Sequence, residues 1–265
     1  MDYNDQNLAH PELSVLVVNF NTRDITLECL RSLHRETSMA TFELLVWDNA
    51  SSDGSVAAIR LEFPDAKVFE SQSNLGFGVA NNELSNHARG EKLLLLNPDT
   101  VVLSGAVDRL LAFSRANPDA RLVGGRTLHP DRSLAPGSCW GAPTLWSTAC
   151  LALGLSSLLP GSRLFNPEAL PGWRRDSVRE VDIVAGCWLM IDRDLWSQLG
   201  GFDPSFFMYG EDADLCMRAR AAGALIQIDP SAEVIHIGGA SEKVRADKMV
   251  KLLTAKAQLL SLIHI

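Results

Sequence analysis

The sequence lacks paired cysteines, long runs of one charge and a basic N-terminal leader. Its five cysteines are widely scattered, without a Cys-x-x-Cys pair or a histidine cluster nearby: Cys29, Cys139, Cys150, Cys187 and Cys216. This pattern predicts reduced, buried thiols of a cytoplasmic protein and argues against disulfides or a zinc site. The formal charge of −8 comes without a run of one sign, which argues against a nucleic-acid partner.

Segments typical of secretion or of a membrane span are also missing. Residues 1–12 are acidic and polar, so we expect a flexible leader and no secretion signal. The uncharged stretch 142–161 is diluted by Ser, Thr, Gly and Pro, which favours a loop with one amphipathic helix over a span. Ordinary hydrophobic packing of this stretch is preferred, and contact with a membrane surface stays open as the alternative.

Strand-like and helix-like periods alternate through the first half of the chain. The apolar run 13–20 is followed by a helical pattern at 24–34, and the same order recurs as far as residue 116. An apolar fraction of 46% over 265 residues is enough for a large core. The alternation predicts an α/β fold with a mostly parallel central sheet and helices on both faces.

We expect one domain over residues 13–250. Residues 13–129 form its alternating half, and residues 130–180 are rich in Pro and Gly, which predicts an irregular insertion. Residues 181–240 return to strand and helix patterns. Residues 241–265 begin as an amphipathic helix and end without a capping residue, so we expect a truncated C-terminal helix.

Polar side chains stand where the predicted strands end. Asp48 and Asp99 each follow an apolar run, and the ends of parallel strands meet at one crevice, where such folds bind ligands. Asp48 could accept hydrogen bonds from a nucleobase or a ribose, although a turn role is equally open. The segment SNLGFGVANN could bring backbone N–H groups to a phosphate, but it is not GxGxxG, because Asn81 stands three residues after Gly78.

Asp99, His236 and an acidic helix turn could carry chemistry. Asp99 follows a proline, and a lone Asp in a turn is usually structural; a diphosphate in this acidic crevice would nevertheless need a hard cation such as Mg²⁺ or Mn²⁺. His236 is either a core residue or a neutral metal ligand. Glu211, Asp212 and Asp214 share the first turn of a predicted helix, and adjacent carboxylates raise each other's proton affinity, as a general base requires.

Six motifs, taken together and in order, resemble the inverting glycosyltransferases of family 2, in particular the rhamnosyltransferase-like members. They lie within residues 13–250 and read SVLVVNFNTRDITLECLRSL, VWDNASSDGS, SNLGFGVANN, LLLLNPDT, VDIVAGCWLMIDRDLWSQLGGFDPSFFMYGEDADLCMRARAAG and VIHIGGAS. The resemblance implies a GT-A fold and transfer of a sugar, rhamnose first, from a TDP- or UDP-linked donor. The acceptor would be a glycan or a lipid-linked glycan in cell-surface polysaccharide synthesis, at a cytoplasmic location with peripheral membrane contact left open.

The resemblance also implies roles for individual residues. Asp212 would be the catalytic base with Glu211 as its neighbour, and Asp99 would bind Mg²⁺ or Mn²⁺, with His236 as a further metal or diphosphate contact. Asn97 stands where the family's metal motif has its first Asp, which leaves one charge fewer on the cation. Seven residues would line the donor site: Phe20, Asn21, Asp48, Asn74, Gly76, Asn81 and Asn97.

Two other classes of function remain as alternatives. A non-catalytic nucleotide-sugar or glycan-binding module would use the same crevice without a base. A nucleotidyltransferase would want a Gly-rich loop with a basic residue after the first strand, and that stretch here reads NFNTRD, without glycine.

Overall fold

The computed structural model describes residues 10–238 and 245–263, so most of the predicted leader and residues 239–244 lie outside the described part. Its strands are β1 Leu13–Asn19, β2 Phe42–Asp48, β3 Lys67–Glu70, β4 Lys92–Leu96, β5 Thr100–Val102, β6 Leu122–Leu128, β7 Cys139–Trp140, β8 Arg179–Glu180, β9 Ile183–Val184, β10 Trp188–Asp192 and β11 Ile226–His236. Its α-helices are α1 Arg23–Glu36, α2 Ser55–Glu62, α3 Phe77–Ser85, α4 Ala106–Ala116, α5 Leu145–Ala152, α6 Leu155–Leu158, α7 Arg193–Leu199, α8 Glu211–Ala221 and α9 Arg245–Ile263.

The main sheet has the strand order β3-β2-β1-β4-β10-β6-β11-β5, and β8 pairs with β11. Strands β3, β2, β1 and β4 are parallel, as are β6 and β11. The predicted α/β sheet with helices on both faces is confirmed. The alternation did not reveal that β10 enters antiparallel between β4 and β6.

The four leucines before Asn97 show why this sheet reads as continuously apolar. Leu93 and Leu95 belong to the core on one face of the sheet, which also contains Leu215 from α8. Leu94 and Leu96 belong to the core on the other face, which the helices α1 and α4 cover. Since side chains alternate along a strand and neither face meets water, every residue of the run is buried.

The antiparallel direction of β10 brings the loop before it next to the end of β4. Trp188, the first residue of β10, lies opposite Leu96, the last residue of β4. The loop of residues 185–187 therefore reaches the same edge as Asn97 and Asp99. The sequence predicted an unbroken strand over 181–192, and the structure interrupts it at this loop.

The insertion 130–180 carries two short helices, α5 and α6, and is fastened to the second half of the chain by ion pairs. Asp182, which follows the insertion, accepts a hydrogen bond from the backbone N–H of Ala142 at 2.8 Å and pairs with Arg220 of α8. Glu168 pairs with Lys256 of α9 at 2.7 Å. In the described part of the chain, no helix is long and apolar enough to cross a membrane.

Candidate active site

The segment after β4 places a carboxylate beside an imidazole. Asp99 is buried, and its Oδ1 lies 3.2 Å from Nε2 of His236 at the end of β11. The backbone N–H of Ile237 donates to the Asp99 carbonyl at 2.9 Å, which fixes the two segments together. Burial lowers the pKa of His236, but neighbouring Cys187 and Asp99 raise it by more, to about 10.

Asn97 adds an oxygen that the fold leaves without a partner. Its backbone N–H donates to the Cys187 carbonyl at 3.0 Å, and its carbonyl accepts from the Thr100 hydroxyl at 2.7 Å. Its side-chain Oδ1 is buried and has no hydrogen-bond partner within the described residues. Such an atom normally finds a partner in a protein or a ligand.

These residues fit a hard divalent cation whose coordination shell the substrate phosphates would complete. Mg²⁺ and Mn²⁺ prefer oxygen ligands and are often held by one or two protein groups plus substrate phosphates. The Asp99 carboxylate and the unpartnered Asn97 Oδ1 supply oxygens, and His236 stands beside them. Among the described residues there is no metal-binding group of three or more His, Cys, Asp or Glu, so the chain by itself offers a partial site.

Asp212 lies in the first turn of α8 and is held by backbone donors. Its Oδ2 accepts from the N–H of Gly186 at 3.1 Å, and its Oδ1 accepts from the N–H of Ala213 at 2.8 Å. Burial raises the pKa of Asp212, and these two hydrogen bonds offset part of that rise. A raised proton affinity in a fixed carboxylate is what a general base needs.

Gly186 is closely packed at this contact. A Cβ at this position would lie 3.1 Å from a ring carbon of Phe77 and 3.6 Å from the Cβ of Asp212. The carbonyl of the next residue, Cys187, accepts the hydrogen bond from the backbone N–H of Asn97. Adjacent residues of one loop therefore hold the Asp212 carboxylate on one side and the Asn97–Asp99 segment on the other.

Glu211 is buried behind Asp212. Its Oε2 has no hydrogen-bond partner in the described part of the chain, and Gly78 of α3 packs against it. Burial, and then the charge of Asp212, raise the pKa of Glu211 to about 8. At neutral pH the pair therefore holds one proton more than two exposed carboxylates would.

Asp214 has a structural explanation that the sequence did not show. It forms an ion pair with Arg218 at 2.6 Å, one helical turn later, and Arg218 also donates to the carbonyls of Leu199 and Gly201 at 2.8 Å. Two of the three acids in this turn are thus left for chemistry.

The predicted base and ribose site lies at the ends of β1 and β2. Asp48 accepts from Nδ2 of Asn19 at 2.6 Å and from the N–H of Ser51 at 2.7 Å, so each of its oxygens already accepts one hydrogen bond. Asn21 has a φ of 52° and its Oδ1 accepts from the N–H of Ser52 at 2.8 Å. Phe20 is exposed beside it. Within the described residues, no hydrogen bond joins this group to Asp99 or Asp212.

Asn74 and Gly76 lie in the loop between β3 and α3, and Asn81 lies within α3. Asn74 Oδ1 accepts from the N–H of Gly76 at 2.9 Å, while Asn81 is buried and its Oδ1 has no partner in the described part of the chain. Asn49, which sequence reasoning left out of the site, accepts from the N–H of Leu75 at 3.2 Å and donates to the Gly76 carbonyl at 3.2 Å. The position of Asn49 directly after Asp48, at the end of a predicted strand, could have indicated that it belongs to the site.

The segment before α8 covers this loop. The N–H of Phe77 donates to the Phe207 carbonyl at 3.4 Å, and Gly76 has a φ of 82°. A Cβ on Gly76 would lie 2.4 Å from that carbonyl oxygen, which no side chain could accept without a shift of the backbone.

Comparison with known protein families assigns the chain to one of them. The family model described as glycosyl transferase family 2 matches residues 14–182, more than half of the chain. The chain belongs to glycosyl transferase family 2. It is therefore a glycosyltransferase, as the six motifs predicted.

Curated members of the family cover most of the chain. The N-acetylglucosaminyl-diphospho-decaprenol L-rhamnosyltransferase of Mycobacterium tuberculosis is 31% identical over 243 residues, which are 84% of this chain and 75% of that protein. The low-salt glycan biosynthesis hexosyltransferase Agl10 of Haloferax volcanii is 25% identical over 85% of this chain and 67% of that protein. The predicted similarity to rhamnosyltransferase-like members is confirmed.

Solved glycosyltransferase structures share the fold. The mannosyltransferase PcManGT from Pyrobaculum calidifontis, in complex with GDP-Man and Mn²⁺, aligns with a TM-score of 0.63 and 17% identity over 92% of this chain. GalNAc-T7 with UDP, GalNAc and Mn²⁺ aligns with a TM-score of 0.66 and 15% identity over 97% of this chain. This chain spans 61% and 48% of those two proteins. At these identities the likeness shows the fold, and the predicted GT-A fold is confirmed.

Proposed function

We propose that this family 2 glycosyltransferase transfers a sugar, with inversion, from a nucleotide-diphosphate donor to a lipid-linked glycan. One observation carries the proposal: the 185–187 loop binds Asp212 through Gly186 and the Asn97–Asp99 segment through Cys187. A carboxylate of raised proton affinity and a partial cation site are therefore held by adjacent residues of one loop. An acceptor hydroxyl and a donor diphosphate need that combination.

The donor half of the site binds the nucleotide. Exposed Phe20 and Asn21 would contact the base, and Asp48 would position them through Asn19 and the Ser51 turn. The loop of Asn74 and Gly76, together with Asn81, would line the sugar diphosphate. Asp99 and Asn97 would hold Mg²⁺ or Mn²⁺ with His236 as a neighbour, and the bound cation supplies charge neutralisation for the leaving diphosphate.

Asp212 carries the chemical step. Its carboxylate takes the proton of the acceptor hydroxyl, whose oxygen forms a bond to the anomeric carbon on the face opposite the nucleotide. The bond from that carbon to the diphosphate oxygen breaks, and the nucleotide diphosphate leaves. The N–H groups of Gly186 and Ala213 each hold one carboxylate oxygen, which fixes the orientation of the proposed base.

The 31% identity to the mycobacterial rhamnosyltransferase supports rhamnose as the sugar and a polyprenol diphosphate glycan as the acceptor. TDP-rhamnose is then the first donor to test, and UDP-sugars follow. Because such an acceptor lies in a bilayer, we propose that the enzyme works in contact with the inner face of the cell membrane.

A two-stage measurement tests this function. TDP and UDP, each with Mg²⁺ or Mn²⁺, should raise the melting temperature of the folded protein. Release of TDP from TDP-rhamnose should then require a lipid-linked acceptor. A binding module would show the first effect without turnover, and a nucleotidyltransferase would release pyrophosphate from a nucleoside triphosphate. If no nucleotide diphosphate with either cation shifts the melting temperature, the donor site is assigned wrongly.

A further inference from the structure

The helix α5 in the insertion exposes apolar side chains to solvent. Its buried positions are Ser147 and Cys150, one of them polar. Its outward positions are all apolar: Leu145, Trp146, Ala149, Leu151 and Ala152. A helix on a water-facing surface has the opposite arrangement, with polar residues outside.

Neighbouring residues extend this outward face into one surface. Leu153 is 72% exposed, and Leu158 at the end of α6 is 76% exposed. The indole N–H of Trp146 donates to the Leu164 carbonyl at 2.7 Å, which joins α5 to the chain beyond α6. We call the exposed members of this group the apolar surface: Leu145, Trp146, Leu151, Leu153, Leu158, Leu159 and Leu164.

The apolar surface carries no charge of its own and has a basic border. Residues 133–162 contain no charged side chain, in a chain of which 21% is charged. Directly beyond them stand Arg163 and, further on, Arg174, both exposed. Glu168, the acid between them, is already paired with Lys256. A chain with a net charge of −8 therefore presents positive charge next to this uncharged apolar surface.

We propose that the apolar surface docks onto a bilayer containing anionic lipids. Leucines and a tryptophan enter the boundary between headgroups and acyl chains, and the arginines at the border contact lipid phosphates. The indole of Trp146 suits that boundary, because its N–H is satisfied within the protein while the ring stays outside. A contiguous exposed patch of this kind marks a protein or membrane contact, and the uncharged centre with a basic border favours an anionic membrane.

The docking surface is fixed relative to the catalytic carboxylate. The insertion is tied to α8, which carries Asp212, through Asp182, and to α9 through Glu168. On α9, Ala255 is buried and packs against Gly210, the residue before Glu211. This proposal rests on the proposed function, since a lipid-linked acceptor reaches Asp212 from the membrane on which the surface docks.

Flotation with vesicles tests the docking directly. The wild-type chain should float with vesicles of phosphatidylcholine and phosphatidylglycerol, and the variant Leu153→Glu/Leu158→Glu should lose about tenfold in bound fraction. The matched control is Met39→Glu/Leu61→Glu, since these residues are 82% and 86% exposed and lie outside the apolar surface. It should bind as the wild type does. Arg163→Gln/Arg174→Gln should weaken binding to anionic vesicles, and added salt should do the same.

Three outcomes would overturn the proposal. The wild type could fail to float with any vesicle, the control could lose binding as strongly as the surface variant, or the surface could prove to be a contact between two copies. Sedimentation without vesicles detects the last case as a wild-type dimer that Leu153→Glu/Leu158→Glu dissociates. Nucleotide-induced thermal shifts on the same samples keep the two proposals apart, because docking can fail while donor binding stands, and the reverse.

Discussion

The backbone N–H of Gly186 donates to the carboxylate of Asp212 over 3.1 Å, and the residue after Gly186 pairs with Asn97. One loop between two strands thus sets the distance from the proposed base to the proposed cation site. This relationship leads to predictions for each side of the crevice.

Replacing the base should stop turnover and spare the fold. Asp212→Asn keeps the size of the side chain and removes its proton affinity, so turnover should fall by about 10²–10⁴. Thermal stabilisation by a nucleotide diphosphate should persist. Asp214→Asn is the matched control two residues along in the same turn: it breaks the pair with Arg218 and should cost about 1–3 kcal/mol of stability while leaving turnover of the folded protein near normal. Equal loss of turnover in both variants would contradict the assignment of Asp212.

Adding one carbon to the loop should misplace the base. Gly186→Ala would place a Cβ 3.1 Å from Phe77, so one of the two must shift by a few tenths of an ångström. Since a displacement of about 1 Å at a reacting group costs up to about 10²-fold, we expect a loss of up to about tenfold in kcat. Gly137→Ala is the control, because nothing lies within 4 Å of a Cβ there. Steady-state kinetics with fixed donor would measure both variants. A Gly186→Ala enzyme with wild-type kcat would show that the loop does not position Asp212.

The cation site should depend on one acid. Asp99→Asn removes the charge next to His236, so the Mn²⁺ concentration needed for thermal stabilisation by TDP should rise at least about tenfold. Asp229→Asn provides a buried acid on β11 whose side-chain partner is Ser231, and it should leave the Mn²⁺ requirement unchanged. An unchanged Mn²⁺ titration in Asp99→Asn would place the cation elsewhere.

Stability should fall with rising pH because of Glu211. Its pKa is raised from 4.5 in the unfolded chain to about 8 in the folded protein, so between these values the folded state binds more protons. The contribution of Glu211 to the free energy of unfolding therefore decreases as pH rises through this window and ends above about 8, while His236, whose pKa is raised from 6.5 to about 10, adds a decrease between those two values. Glu211→Gln should reduce the decline most clearly below about pH 6.5 and leave the part due to His236, which melting curves from pH 5 to about 9 would show. A wild-type profile that rises across the window would refute the raised pKa.

The parallel sheet and the polar residues at its edge could be predicted from local sequence patterns. The run LLLL before Asn97 could only be a strand buried on both faces, and the polar residues at strand ends had to meet at one edge. The break at residues 185–187 could not be predicted, because Ala, Gly and Cys between apolar residues look like continued strand. It arises from pairing with β4, a contact distant in sequence. The structural role of Asp214 could not be predicted for a similar reason. Its partner Arg218 is held by the carbonyls of Leu199 and Gly201, which lie outside α8.

The insertion shows the other limit of sequence reasoning. Its leucines predicted internal packing, because burial is the usual fate of apolar side chains. The structure instead buries Ser147 and Cys150 and turns Leu145 and Trp146 outward. Which face of a short helix meets the core depends on where its neighbours leave room, and periodicity alone does not contain that information.

The cover of Gly76 by Phe207 has a consequence for anyone who wishes to change the donor. The loop that would grip the sugar diphosphate and the segment leading into α8 share a boundary with no space for a methyl group. Any enlargement of that loop displaces the start of the helix that bears Asp212. Altered sugar selectivity is therefore best sought in pairs of substitutions, one on each side of that boundary, because the proposed donor loop and the segment before the proposed base share it.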